Sequence, residues 1–203
     1  MDLEIRPLGP DRLDDFLSYF DHDAFADNPW WAGCFCNFYE SLVHPAENPD
    51  PTTPAFAPFR DRNRAEKAGR IRAQQARGYV AYHDGKVVGW LNAQPKEAYA
   101  NPRGFALAFG DMPGRTGVLM CFVVAPDRRG QGVGTALLKA ALEGFRTEGL
   151  EHAQGFARRP GAPLREWETF ATSSYHGTHS MYVENGFAEV GTVGNYAVMR
   201  RSL

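Results

Sequence analysis

Residues 124–135 hold the side chains and backbone groups best suited to binding chemistry. Three glycines fall within five residues at the predicted start of a helix, and two arginines directly precede them. Glycines remove side chains, so several backbone N–H groups can point at one anion, supported by the positive end of the helix dipole. The stretch therefore predicts a site for a phosphate or pyrophosphate, centred on Gly130, Gly132 and Gly134.

This stretch differs from two other phosphate-binding loops. It has no Gly-Lys-Ser/Thr, so it is not a Walker A loop, and it lacks the G-x-G-x-x-G spacing of dinucleotide-binding turns. An alternative is a glycine-rich turn needed only for close packing of a helix on a sheet. The two neighbouring arginines favour an anion instead.

Two apolar segments must position these glycines. Residues 118–124 form a continuous apolar run, typical of a strand buried on both faces, and Pro126 ends it. Residues 134–146 carry leucines, alanines and a phenylalanine at helical spacing, which places one face against a sheet. A further strand at about 152–157 completes a strand, helix, strand unit, for which we expect parallel pairing.

The other periodic segments predict a mixed α/β chain. The clearest is a hairpin around Asp84-Gly85, a dipeptide that accepts the backbone angles of a type I′ turn. Further strands and helices are predicted over 3–8, 10–20, 60–77, 79–83, 86–93, 178–184, 187–192 and 196–200. Three excursions without steady periodicity cover about 22–59, 94–117 and 158–175. Long excursions often carry function, so we expect them to select the substrate.

Composition limits the classes of function. The chain has 203 residues, of which 43% are hydrophobic, and this is enough for one domain with a buried core. Its net charge of -2 gives no overall attraction to nucleic acid or to an anionic membrane. No segment approaches the roughly 20 apolar residues that span a bilayer. With an odd number of cysteines and no apolar leader, we expect a cytoplasmic protein.

Two motifs together resemble a known family. Residues 124–134 fit the pattern V-x-P-x-x-R-G-x-G-x-G and precede a leucine-rich helix. This resembles the acetyl-CoA signature of the GNAT superfamily of N-acetyltransferases. Residues 181–187, M-Y-V-E-N-G-F, look like the family's second landmark, a helix with a tyrosine followed by Gly-Phe at the next strand. The order of elements also agrees from Leu3 to about Arg200, outside the three excursions.

The resemblance implies an α/β (α+β) fold in one domain over residues 1–203, interrupted by the three excursions. The expected sheet is mixed and mostly antiparallel, with a splayed pair of parallel strands and helices on its sides. Acetyl-CoA, the implied co-substrate, would lie with its thioester in the gap between the splayed strands. Its pantetheine and acetyl carbonyl would meet backbone groups of Phe122, Val123 and Val124. Its pyrophosphate would bind to the loop formed by Arg129, Gly130, Gln131, Gly132, Val133, Gly134 and Thr135.

The resemblance also implies direct attack of an amine on the thioester, with a main-chain N–H of the buried strand stabilising the oxyanion. Tyr182 is the candidate general acid for the departing thiolate. A phenol with a pKa of about 10 can donate to a thiol of pKa about 8.5 without a large uphill step. The alternative is a core tyrosine whose hydroxyl is satisfied by the backbone.

Two parts of the expected chemistry stay open. Many family members carry Asn seven residues before the tyrosine, and this chain has Tyr175 there, which puts side-chain contacts to the pantetheine in question. The general base is not identified by any motif. Each candidate also fits a solvated or capping side chain, and the candidates are Asp111, Glu166, Glu168, His176 and His179.

We therefore predict an enzyme that moves the acetyl group of acetyl-CoA to a primary amine of a small molecule or peptide. One alternative is a non-catalytic module that senses acyl-CoA. Another is acetylation of RNA through the basic segment 60–77, which also fits a solvated helix face. A homodimer is an expectation from the family, and we expect no membrane partner.

Two weaker signals concern metal and charge. Cys34 and Cys36 with His22 or His44 lack the ligand spacing of a structural zinc site, so no metal is expected. Residues 1–50 contain eleven acidic residues and two arginines. If some of these acids face the acceptor, they would favour a cationic amine.

Overall fold

The fold is built on one seven-stranded sheet, and the helices pack against it. The computed structural model describes residues 2–45, 47–164, 169 and 173–203. The strand order is β1-β2-β3-β4-β5-β7-β6, and only β4 and β5 are parallel. This confirms the predicted mixed, mostly antiparallel sheet. The strands are β1 (Glu4–Pro7), β2 (Gly78–His83), β3 (Lys86–Pro95), β4 (Thr116–Val124), β5 (His152–Arg158), β6 (Ala188–Val193) and β7 (Tyr196–Ser202).

Helices cover both faces of this sheet. In the described residues the α-helices are α1 (Leu13–His22), α2 (Phe56–Arg72), α3 (Ala106–Gly110), α4 (Val133–Thr147) and α5 (His179–Glu184). Side chains alternate across each strand, so Val118 packs with α1 and α2 whereas its neighbour Leu119 packs with α4. The two cores together hold the strands in place under the candidate site.

Most predicted boundaries agree with the structure, and the differences have local causes. Asp84 and Gly85 have φ values of 50° and 73°, as the type I′ prediction requires. The basic helix lies at Phe56–Arg72 instead of 60–77. Pro58 suits the first helical turn, because a backbone N–H at that position would have no acceptor within the helix. At the other end, Gln74 has a φ of 57°, which ends the helix. Much of the third excursion falls on residues 165–168 and 170–172, outside the described part.

A bulge opens the sheet at the expected place. Parallel pairing of β4 with β5 runs only from Thr116↔His152 to Leu119↔Gly155. On the other edge of β4, Asn92 pairs with Cys121 but Ala93 pairs with Leu119, which leaves Met120 as an extra residue. Such a bulge bends a strand and increases its twist. Beyond Leu119 the two strands separate, and we call the space between them the gap.

Candidate functional site

The glycine loop adopts a conformation that other residues rarely take. Gly130 and Gly132 have φ values of 72° and 87°, and Gly132 is the residue before α4. A Cβ placed on either would meet no atom within 4 Å. By contrast, a Cβ on Gly117 would lie 2.4 Å from the ring of Phe145, so that glycine serves packing. Gly130 and Gly132 are therefore required by backbone geometry over open space, and the packing alternative does not explain them.

These glycines form one wall of a groove of about 610 Å³, here called the glycine-loop groove. The first three amides of α4, at residues 133–135, have no acceptor within the helix and lie beside it. The predicted binding residues other than Val123 and Gln131 line the groove, namely Phe122, Val124, Arg129, Gly130, Gly132, Val133, Gly134 and Thr135.

The opposite wall was not predicted from the sequence. It consists of the turn before α5 and one side of that helix. Thr178 caps the helix by accepting a hydrogen bond from the Met181 amide at 3.2 Å. The sequence predicted the short helix, but nothing in the sequence pattern shows which side of the helix faces the groove. The wall residues are Ser174, Gly177, Thr178, Ser180, Met181 and Glu184.

Arg129 connects the glycine loop to the first excursion. Its guanidinium forms an ion pair with Asp27, with an Nη2–Oδ1 distance of 3.0 Å, and its Nε donates to the Val124 carbonyl at 3.1 Å. Asp27 thus offsets part of the positive charge that the sequence places here. An anion at this loop would accordingly meet mainly backbone amides.

The backbone of β4 points in two directions beyond the bulge. The Ala125 amide donates to the Val88 carbonyl on β3. Hydrogen-bonded pairs alternate along an antiparallel ladder, so Trp90 and Val123, two residues further on, also form a hydrogen-bonded pair. Phe122 and Val124 therefore present their amides and carbonyls to the gap. The backbone of Val123 faces β3, and its carbonyl accepts from Tyr19 Oη at 3.0 Å. The backbone of Val123 is thus already paired on the other side, so the predicted backbone contacts would come from Phe122 and Val124.

Residues 174–177, here called the gap segment, cross the open edge of β4. The Phe122 amide donates to the Tyr175 carbonyl at 2.6 Å. His176 Nδ1 donates to the Met120 carbonyl, so the other ring nitrogen, Nε2, accepts from Tyr39 Oη at 3.2 Å. At the position of the family's asparagine, the backbone of Tyr175 therefore contacts β4.

Tyr182 lies beneath the gap segment and is fully buried. Its hydroxyl donates to the His176 carbonyl at 2.9 Å, and its ring packs edge-on against Phe122. A Cβ on Gly155 would lie 2.1 Å from the hydroxyl oxygen, so this glycine makes room for it. Burial raises the pKa of Tyr182, which keeps the hydroxyl protonated. In this arrangement the backbone satisfies the hydroxyl, as in the alternative considered from the sequence.

The candidate bases occupy different parts of the molecule. Burial lowers the pKa of His176 to about 4, so its ring is neutral at neutral pH. His179 faces Glu189 with an Nε2–Oε2 distance of 3.2 Å, at an exposed position. Asp111 is also exposed. Glu166 and Glu168 lie outside the described residues.

A second cavity, of about 470 Å³, lies on the other side of Tyr175 and is here called the aromatic pocket. Tyr175 also borders a narrow space beside Phe122, Val124 and Arg129, so it separates the pocket from the groove. The pocket draws on all three excursions and on the β6–β7 turn, as expected of a substrate side. Its lining residues are Trp30, Trp31, Phe38, Tyr39, Glu47, Asn48, Arg103, Phe105, Tyr175, Val193, Gly194, Asn195 and Tyr196.

The acidic residues of the first quarter have other roles than the sequence suggested. Asp21 pairs with Arg64 at 2.9 Å, and Asp27 pairs with Arg129. Glu40 is buried against Lys67. Among the eleven acids, Glu47 is the one that lines the aromatic pocket. These contacts remove most of the support for a strongly cationic acceptor.

The same contacts bear on the basic helix. Lys67 is fully buried, with its Nζ 2.7 Å from Glu40 Oε2, and Arg70 pairs with Glu66 at 3.3 Å. Arg64 is held by Asp21, so several of the positive charges of α2 are used within the chain. The helix therefore gives little support for RNA binding.

The three cysteines come together around a small apolar cavity of about 60 Å³. All three are free thiols, and burial raises the pKa of Cys34 to about 12. Protonated thiols are poor metal ligands and nucleophiles. In the part of the chain that the structure describes, no group of three or more His, Cys, Asp or Glu side chains is placed to hold a metal ion.

The model of the acetyltransferase (GNAT) family matches residues 35–187, which is more than half of the chain. This chain belongs to the GNAT family. It is accordingly an acetyl-CoA-dependent N-acetyltransferase. No curated protein matches its sequence. No described helix of this acetyltransferase is long and apolar enough to cross a membrane.

Solved structures share the fold of this GNAT protein. PaiA N-acetyltransferase from Thermoplasma acidophilum, in complex with coenzyme A, is 15% identical with a TM-score of 0.54. A Drosophila melanogaster polyamine N-acetyltransferase that forms N-acetylagmatine is 10% identical, with a TM-score of 0.56. Mosquito arylalkylamine N-acetyltransferase like 5b is 11% identical, with a TM-score of 0.57. In each case 100% of both chains is covered, and at these identities the similarity concerns the fold alone.

Proposed function

We propose that this acetyltransferase transfers the acetyl group of acetyl-CoA to a primary amine of a small molecule or peptide bound in the aromatic pocket. One observation carries the proposal. The glycine-loop groove leads along the open edge of β4 to Tyr175, and the other side of Tyr175 is a wall of the aromatic pocket. A cofactor site and an acceptor site therefore meet at one residue.

The residues of the groove fit coenzyme A. The amides of residues 133–135 and the open space over Gly130 and Gly132 suit the pyrophosphate. Phe122 and Val124 offer the backbone groups that a pantetheine amide can pair with. Arg129 and Gln131 complete the loop. Acetyl-CoA supplies the thioester, whose carbonyl an amine can attack directly.

Two groups of the chain would assist the transfer. The Phe122 amide points into the gap and can donate to an acetyl oxygen once the Tyr175 carbonyl releases it. Tyr182 is the proposed proton donor, since burial keeps its hydroxyl protonated. It must exchange the His176 carbonyl for the departing sulfur. The proposed catalytic role therefore requires a shift of the gap segment.

The test is amine-dependent release of thiol from acetyl-CoA, with the acetylated amine identified by mass spectrometry. Trp30→Ala, on the pocket side, should raise the KM for the amine about 10-fold and leave the KM for acetyl-CoA unchanged. Phe56→Ala, a ring on α2 outside the pocket lining, is the control and should change neither. Equal rises in both KM values for Trp30→Ala would contradict the assignment of the pocket. Binding of coenzyme A without turnover of any amine would favour the sensor alternative.

A further inference from the structure

Arg103 places a positive charge in the wall of the aromatic pocket. Its guanidinium lies over the ring of Phe38, 4.7 Å from the ring centroid, and is half-buried. Nε donates to the Phe38 carbonyl at 3.4 Å, and Nη2 donates to the His44 carbonyl. The amide oxygen of Asn101, in the orientation that satisfies both groups, accepts from Nε at 2.9 Å and from Nη2 at 3.0 Å. All of these acceptors are uncharged.

This environment differs from that of other arginines in the chain. Arg64, Arg77 and Arg129 each form an ion pair with a carboxylate. No carboxylate of the described residues lies within ion-pair distance of Arg103, and its Nη1 has no acceptor there. The charge acts on its surroundings, since the pKa of His44 is lowered first by burial and further by Arg103. A guanidinium whose counter-charge is missing can bind a carboxylate through its remaining nitrogen, here Nη1, in a charge-assisted hydrogen bond.

Apart from Arg103, Glu47, Asn48 and Asn195, the pocket is lined by side chains that suit an apolar body. Aromatic rings of Trp30, Tyr39, Phe105 and Tyr196 form its walls. A volume of about 470 Å³ is in the range of small-molecule sites. Such walls bind aromatic or other apolar groups, while the polar groups fix the orientation of the ligand.

We propose that the acetyl acceptor is an amino carboxylate, in which an aromatic or other apolar body carries both the reacting amine and a carboxylate that binds Arg103. This inference rests on the proposed function, because it takes the aromatic pocket as the acceptor site. The transfer forms the amide C–N bond and breaks the thioester C–S bond. Of the two protons that the ammonium group loses, one ends on the coenzyme A thiol and the other in solvent.

The carboxylate should matter strongly for selection. An amine without it would leave the guanidinium in an aromatic pocket without a counter-charge, and sites built for a polar group reject ligands that lack it. For a hydrogen-bonded charged group we expect a preference of about 10- to 100-fold in kcat/KM. The difference should lie mainly in KM, because the carboxylate takes no part in the bonds that form and break.

The experiment compares amines that differ only in the carboxylate. Thiol release from acetyl-CoA is measured with tryptophan and tryptamine, phenylalanine and phenethylamine, and 4-(aminomethyl)benzoate and benzylamine. The first two pairs carry the amine and the carboxylate on the same carbon, and the third separates them by an aromatic ring. We expect at least one amino carboxylate to be preferred to its partner by the factor given above. Equal kcat/KM values within every pair would overturn the inference while leaving the proposed function intact.

Variants separate recognition from folding. Arg103→Gln should abolish the preference by raising the KM of each amino carboxylate towards that of its simple amine, whereas Arg103→Lys should retain part of the preference. Arg62→Gln is the matched control, since Arg62 also stacks on a ring, Phe59 at 5.9 Å, but is exposed and outside the pocket lining. Because Arg103 also contacts backbone carbonyls, melting temperatures are recorded for all three. A preference that survives in folded Arg103→Gln would overturn the inference.

If no amine is turned over, a binding assay still tests the inference. Calorimetry with the same pairs measures the preference for the carboxylate without any acetyl transfer. Tighter binding of the amino carboxylate, lost in Arg103→Gln, would support the inference even where thiol release is absent. Absence of both turnover and selective binding would overturn the inference together with the proposed function.

Discussion

The glycine-loop groove and the aromatic pocket lie on the two sides of Tyr175 but are assembled in different ways. One wall of the groove comes from a single stretch of chain, residues 122–135, and its key groups are backbone amides. The pocket collects side chains from residues as far apart as Trp30, Arg103 and Tyr196. The groove therefore follows from local backbone geometry, whereas the pocket depends on how the excursions are anchored to the sheet. Changes in the two regions should separate binding of the cofactor from choice of the acceptor.

The largest expected effect on ligand binding concerns the groove alone. Gly132→Glu introduces bulk and negative charge at the amides of α4, so affinity for coenzyme A should fall by about 100-fold or more. Gly85→Glu is the matched control, since Gly85 also has a positive φ and open space around its Cα but lies in the β2–β3 turn. Both variants should lose similar stability. Calorimetric titration with coenzyme A measures the difference, and equal affinities in the two would refute the groove assignment.

A second prediction concerns the anchor of the pocket. Glu40 is buried and accepts hydrogen bonds from Lys67 at 2.7 Å, Asn92 at 2.6 Å and Gln94 at 3.1 Å. These contacts tie the first excursion to α2 and β3. Glu40→Gln leaves the buried Lys67 without its counter-charge, which should cost about 3–5 kcal/mol of the free energy of unfolding.

Chemical denaturation of Glu40→Gln and of a control measures that cost. Glu66→Gln removes a more exposed partner of Arg70 on the same helix and should cost at most about 1 kcal/mol. At temperatures where Glu40→Gln remains folded, the KM for the amine should rise more than the affinity for coenzyme A falls. Equal changes in the KM for the amine and in the affinity for coenzyme A would show that the pocket and the groove are not anchored separately.

A third, smaller effect tests Tyr182, which lies beneath the gap segment. If Tyr182 donates the proton to the departing thiol, Tyr182→Phe should lower kcat about 100-fold with unchanged affinity for coenzyme A. Tyr99→Phe removes another buried hydroxyl, which donates to Asn92 Oδ1 at 2.9 Å, and serves as the control. Steady-state kinetics and melting temperatures together decide the role. A change in kcat no larger than in the control would leave Tyr182 with a structural role only.

The sequence could predict the groove because its determinants are consecutive. Gly130 and Gly132 permit the positive φ values that the loop adopts, and the buried run before them identifies the strand. Val123 shows the limit of this reasoning, because only the β3 register determines which β4 backbone groups face the gap. Arg103 and Tyr175 could not be assigned to one pocket at all. Their meeting depends on the bulge at Met120 and on long-range packing of the excursions, neither of which leaves a periodic signal.

The smallest expected effect is a pH dependence of stability that comes from His176 in the gap segment. His176 has a pKa of about 4 in the folded protein, whereas an unfolded histidine has about 6.5. Below pH 6.5 the unfolded chain therefore binds a proton that the folded chain does not. Stability from this residue is complete above pH 6.5 and is lost as the pH falls towards 4, by about 2 kcal/mol at pH 5.

Denaturant unfolding at pH 7.5 and pH 5 measures that loss. His176→Gln should reduce the dependence, whereas His22→Gln, at an exposed position on α1, should not. Because the His176 ring bonds to Met120 and Tyr39 while its carbonyl accepts from Tyr182, protonation should also loosen the gap segment. Amine KM should then change with pH in the wild type more than in His176→Gln. An identical pH dependence of stability in the wild type and in His176→Gln would show that burial does not hold this histidine neutral.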